Sequence, residues 1–171
     1  RENYSYKVEY YFNGNIDTTL TEIIPAKYAD IINTYEDKVK PGYKLDRAEV
    51  PLTVTEVEEN NVIRVYYVTD ETQTKELSYT VEYYQNGTKV EADTQTVTET
   101  VQVLEPDTLA VNKAEINTTD KYYGYKFDAQ ATGEIPSTVT TGTVIKVYYV
   151  TDETVTKELS YTVEYYQNGN K

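Results

Sequence analysis

TDETQTKELSYTVEYYQNG at residues 69–87 returns as TDETVTKELSYTVEYYQNG at residues 151–169, and Gln73 against Val155 is the one difference. Within this stretch Tyr79, Val81 and Tyr83 alternate with Thr80, Glu82 and Tyr84, the period of a strand with one face buried. Asn86-Gly87 and Asn168-Gly169 follow, the pair that a tight type I′ hairpin prefers because both central residues take positive φ. The shift between the copies, 151 − 69 = 82, is longer than a solenoid unit and suits a small domain able to close its own core.

The pattern extends backward. Tyr6, Val8, Tyr10 and Phe12 lie on one face, Lys7, Glu9 and Tyr11 on the other, and Asn13-Gly14 follows. This stretch matches 79–87 at a shift of 73, so the first copy is nine residues shorter than the second. Gly42 to Val65 and Gly124 to Val147 are equal in length, whereas Gly87 to Gly124 exceeds Gly14 to Gly42 by the same nine. The insertion of copy two therefore lies between the hairpin and the central glycine.

A second strand is expected over residues 18–24 and 94–103, a third from Gly42-Tyr43 and Gly124-Tyr125, and a last over 61–68 and 143–150. Between the second and third, Pro25 precedes AKYADIINTYED, where Tyr28, Ile31, Ile32 and Tyr35 fall at i, i+3, i+4 and i+7. That spacing predicts a short amphipathic helix with proline in its first turn; residues 107–120 occupy the same place in copy two. The order strand, hairpin, strand, helix, strand, strand is that of a β-grasp domain. An immunoglobulin-like sandwich needs about seven strands, and each copy offers four or five. The expected fold is thus α+β and β-rich: tandem β-grasp (ubiquitin-like) repeats as beads on a string. The first domain covers 1–75, the second 76–157, and 158–171 is the truncated first strand of a third repeat. Residues 69–76 and 151–158 lack apolar periodicity and are expected to be short polar linkers. Because the chain starts and stops inside the pattern, it is expected to be cut from a longer protein.

Composition narrows the function. The 171 residues contain no cysteine and no histidine, which removes disulfides, thiolate metal sites and the commonest general base. An enzyme is not expected, and no cofactor is implied. Twenty-nine acidic against 16 basic residues give a net charge of −13, a field that repels phosphate backbones and anionic lipid surfaces. No nucleic-acid partner is expected. No apolar run approaches the roughly 20 residues of a membrane span, so no membrane insertion is expected, and no signal peptide or sorting tail is visible. Twenty tyrosines with abundant valine and threonine favour β structure over disorder.

The opening Tyr-x-Val-x-Tyr-Tyr with Asn-Gly behind it, the central Gly-Tyr-Lys (Gly42 to Lys44, Gly124 to Lys126) and the closing Val-Ile-Arg/Lys-Val-Tyr-Tyr-Val resemble the mucin-binding protein (MucBP-like) repeats of Gram-positive surface adhesins. That family usually carries an Asp-rich turn after the first strand, where this chain has Asn-Gly. The resemblance implies a β-grasp fold and an extracellular place on the bacterial cell surface. It also implies covalent cell-wall anchoring through a part of the parent protein not present in this chain, and host glycoprotein or glycan as partner. The alternative is a stalk that projects a distal adhesive domain.

The doubled tyrosines are the candidate site. Neighbours in a strand face opposite sides, so Tyr10, Tyr67, Tyr83 and Tyr149 are expected inward and Tyr11, Tyr66, Tyr84 and Tyr148 outward. An exposed tyrosine offers a flat apolar face and a hydroxyl for stacking on a sugar; the plainer role is cross-strand packing, worth about 0.2 to 1 kcal/mol per pair. Acidic clusters at Asp70-Glu71, Asp152-Glu153 and Glu56, Glu58, Glu59 lack EF-hand spacing, and a solvated face is the expectation there.

Overall fold

The structure, a computed structural model, describes residues 3–171. It divides into two compact units: the chain up to Glu76 with Thr100–Pro106, and Leu77–Glu99 with Asp107–Lys171.

The first unit contains β1 (Asn3–Phe12), β2 (Asn15–Ile16), β3 (Glu22–Lys27), β4 (Ile31–Ile32), β5 (Tyr43–Ala48), β6 (Leu52–Thr53) and β7 (Val62–Thr69). The two strands with the strongest alternation lie side by side. β1 runs parallel to β7 in the register Val8↔Ile63, Tyr10↔Val65 and Phe12↔Tyr67. β2 and β3 pair antiparallel with the other edge of β1, and β5 closes the far edge of β7. Tyr6, Val8, Tyr10, Phe12, Ile63, Val65 and Tyr67 form the core.

Beginning with β8 (Thr74–Gln85), the chain continues through β9 (Thr88–Lys89), β10 (Gln95–Gln102), β11 (Thr108–Ala110), β12 (Tyr125–Phe127), α1 (Ala129–Thr132), β13 (Thr138–Thr140) and β14 (Val144–Thr151). The sheet order is β10-β8-β14-β12, and β8 and β14 form a parallel pair with Val81↔Ile145 and Tyr83↔Val147 opposite. At Asn13-Gly14 and Asn86-Gly87 both residues take positive φ, as a type I′ turn requires.

The helix expected after Pro25 is not formed. Pro25 lies inside β3, an edge strand where its missing N–H leaves no ladder bond unmade. The chain then turns through Ala29, which has positive φ, and extends as β4, which pairs with β6. The four residues at helical spacing do not share a face: Ile32 and Tyr35 pack on the core, whereas Tyr28 and Ile31 are exposed. Ile31, Ile32, Asn33 and Thr34 are poor helix formers, because branched side chains lose χ1 freedom and asparagine competes for backbone bonds. In copy two the same region is β11 and a single 3-10 turn (Lys113–Glu115), with Leu109 and Ile116 buried.

What replaces the helix explains why the core prefers tyrosine to phenylalanine. An extended covering segment has backbone groups that no helix satisfies, and buried ones need partners. The inward tyrosines supply them. Tyr10 OH donates to the Glu36 carbonyl (2.7 Å), Lys38 N–H donates to Tyr67 OH (3.0 Å), and Tyr67 OH donates to Asp37 Oδ1. In the second unit Asn117 N–H donates to Tyr83 OH (3.0 Å) and Tyr149 OH donates to the Asn117 carbonyl (2.9 Å).

The expected polar linker is also ordered structure. Residues 70–73 form a turn in which Asp70 N–H donates to the Gly42 carbonyl (2.8 Å) and Asp70 Oδ1 accepts from Thr72 N–H (3.1 Å). Gln73 Oε1 accepts from Gly42 N–H (2.9 Å), its Nε2 donates to Asp70 Oδ2 (2.9 Å), and β8 starts one residue later. The expected third-repeat strand is absent among the described residues: 156–166 are irregular and exposed, and only the Asn168-Gly169 turn forms, closed by a Gln167–Asn170 bridge. A lone strand in water has no partner for its backbone.

Candidate functional site: the stacked tyrosine pairs

The four outward tyrosines form two pairs, because β1/β7 and β8/β14 are in the same register. Tyr11 stands opposite Tyr66 and Tyr84 opposite Tyr148. The rings stack, 5.1 Å apart and 24° from parallel in the first unit, 4.9 Å and 28° in the second. Each of the four is half-buried, where the sequence led us to expect exposed rings, since each covers its neighbour.

Three of the four hydroxyls are engaged as well. Tyr11 OH donates to Glu9 Oε2 (2.9 Å), Tyr66 OH to Glu49 Oε1 (3.1 Å) and Tyr84 OH to Glu82 Oε2 (2.6 Å). Burial and the Glu9 carboxylate raise the Tyr11 phenol above its ordinary range, and the Glu82 hydrogen bond followed by burial does the same to Tyr84. Lys89, 2.8 Å from Glu82, holds that carboxyl below its ordinary range. In the first unit Arg64 pairs with Glu49 at 3.3 Å and reaches Glu9 at 3.6 Å.

The two stacks differ in their caps. The Arg47 guanidinium lies 3.8 Å from the centre of the Tyr66 ring. When Tyr66 is aligned with Tyr148, the counterpart of Arg47 is Ala129, in α1, and the nearest cation of the second stack is Lys146, 5.8 Å from the Tyr84 ring. Arg47 is a residue the sequence reading passed over, and its mismatch with Ala129 in the repeat alignment was the available signal. Tyr123, 88% exposed, was likewise passed over.

Elsewhere the described residues form open depressions, including a 630 Å³ hollow inside the turn of residues 165–171 and a 240 Å³ one lined by Asn3, Pro25, Ala26, Lys27 and Asp30. Among the described residues no three carboxylates gather as a metal site, and no helix is long and apolar enough to cross a membrane.

No family model matches this chain, and no curated protein does. Among solved structures it is similar to the type 2 repeat of the mucus binding protein MUB from Lactobacillus reuteri, with 16% identity over 87% of this chain and 100% of that one and a TM-score of 0.34. Similarity at that level assigns neither fold nor function.

Proposed function

We propose that this chain is a non-enzymatic repeat region of a bacterial cell-surface adhesin and that its units serve as spacers. Each is a β-grasp sheet whose helix is replaced by extended chain pinned to core tyrosines. The observation that carries the reading is the closure of the candidate site: stacking pairs the four outward tyrosines, carboxylates hold three of their hydroxyls, and Arg47 caps the first stack. The cysteine-free, acidic composition suits a chain displayed outside the cell, with no thiol to oxidise and a charge that keeps neighbours soluble. Small-angle scattering tests the spacer role; a maximum dimension no greater than that of one compact globule contradicts it.

A second reading, direct contact with mucin-type glycans, is favoured at one place only. Ala129 leaves the second stack without the guanidinium that caps the first. On a glycan array this reading expects a signal that Tyr84→Ala and Tyr148→Ala abolish and that Tyr11→Ala and Tyr66→Ala leave unchanged.

A further inference from the structure

The chain carries two versions of one surface, differing in what covers them. In the first unit the turn at Gly42 is buried under Val103 and Leu104 of the segment Thr100–Pro106. A Cβ on Gly42 would lie 2.7 Å from Leu104 Cγ and Cδ2 and 3.3 Å from Val103 Cγ1, so the leucine seats where only glycine leaves room. One main-chain bond and one from a lysine side chain hold the segment there. Val103 N–H donates to the Gln73 carbonyl (3.1 Å), and Lys75 Nζ donates to the Glu105 carbonyl (2.6 Å).

In the second unit the same scaffold recurs. Asp152 N–H donates to the Gly124 carbonyl (2.9 Å), as Asp70 does to Gly42, and Thr154 N–H closes on Asp152 Oδ1 (3.0 Å) as Thr72 does on Asp70. Here a Cβ on Gly124 would meet nothing within 4 Å. Tyr123 beside it is 88% exposed and Val155 is 41% exposed. Residues 156–167 repeat the sequence of β8 without its pairing. Gln73, whose amide bonds Gly42, is replaced by Val155, which makes this version the more apolar of the two.

We propose that the turn at Tyr123-Gly124-Tyr125, with residues 152–158 beside it, is a docking site for an apolar β-ribbon tip presented by another repeat of this kind, of the type found at Val103-Leu104. The carbonyl of Val155 takes the place of the Gln73 carbonyl as acceptor for the incoming backbone, and the leucine covers Gly124 between Tyr123 and Val155. Docking is by strand addition, in which main-chain bonds supply affinity and alternate side chains supply selectivity. The net charge of −13 disfavours an anionic lipid surface as occupant. This inference builds on the spacer reading and deepens it by naming what joins one repeat to the next.

The test uses the intact chain and a peptide of the sequence of residues 95–106, QTVTETVQVLEP, at concentrations up to about 1 mM, the range of weak single-site binding. Expected are amide chemical-shift changes at residues 123–125 and 152–163. Binding should weaken at least about fivefold when the peptide carries Leu104→Lys, or when the exposed Tyr123 of the receptor becomes Ala, the size of a lost half-covered apolar contact. Absence of shifts, shifts at Gly42-Tyr43 instead, or equal binding of the lysine peptide overturns the proposal. Any of these outcomes leaves the spacer reading to the scattering measurement, which needs no peptide.

Discussion

Residues 74–85 and residues 156–167 spell the same twelve amino acids, TKELSYTVEYYQ, and end in different states. The first is β8, with β10 on one edge and β14 on the other, and its Leu77, Tyr79, Val81 and Tyr83 are at most 2% exposed. In the second, Leu159, Tyr161 and Tyr165 are 82%, 89% and 83% exposed and no strand forms. Alternation makes a strand possible; neighbours on both edges make it real. Burying a Leu, Val or aromatic side chain stabilises by about 1.5–3 kcal/mol, but only where a sheet supplies the covering atoms and pairs the backbone.

The comparison breaks most decisively at one tyrosine. Tyr83→Ala should destabilise the second unit by about 3–5 kcal/mol, the range of large-to-small changes in a core, whereas Tyr165→Ala should stay within about 0.5 kcal/mol, as exposed substitutions do. Urea unfolding of both variants measures this, and comparable losses would mean that residues 156–167 are packed after all.

Alkaline pH probes the same contrast next. Burial pushes the Tyr10 and Tyr149 phenols up to about 12, and burial with the Asp37 and Asp93 hydrogen bonds raises Tyr67 and Tyr122 as well. The folded state thus favours the neutral phenol. That stability is fully present below the ordinary phenol value of 10 and is lost as pH rises toward 12. Phenolate absorbance of the core tyrosines should appear together with the loss of far-ultraviolet strand signal; appearance without unfolding would contradict the packing.

A smaller effect separates the two glycine turns. Both glycines have positive φ. Gly42→Ala and Gly124→Ala therefore each force alanine into the left-handed region, which costs about 1–2 kcal/mol. Only Gly42→Ala should add to this by pressing on Leu104. Thermal melts should therefore rank Gly42→Ala below Gly124→Ala. Smallest is the exchange of the one residue that differs between stretches 69–87 and 151–169. Gln73→Val removes the amide bonds to Gly42, Tyr43 and Asp70 and should cost about 1 kcal/mol, read as faster amide exchange at Gly42.

Most of the strand layout was legible in the sequence. The alternation of Tyr6, Val8, Tyr10 and Phe12 and its repeat at Tyr79 to Tyr83 located the central strands and their inward faces, and Asn-Gly located the hairpins. The error over residues 26–37 arose because Tyr28, Ile31, Ile32 and Tyr35 satisfy a helical spacing by chance; β4 pairing with β6 and the hydroxyls of Tyr10 and Tyr67 outweighed it. The linker was misjudged for a related reason. Asp70, Thr72 and Gln73 carry no apolar period, yet their side chains close a turn onto Gly42. Of the candidate site, the four outward tyrosines were legible individually, but not their pairing.

Repetition, charge and alternation are properties of the chain itself, so the sequence alone determined the duplicated stretch, the acidic composition and the side of the sheet on which the doubled tyrosines of the central strands lie. Register, capping and burial depend on which strand lies beside which. Only tertiary structure could therefore stack Tyr11 on Tyr66, place Arg47 over one stack and Ala129 at the other, seat Leu104 on Gly42 while leaving Gly124 bare, and fold one copy of twelve residues while leaving its twin open.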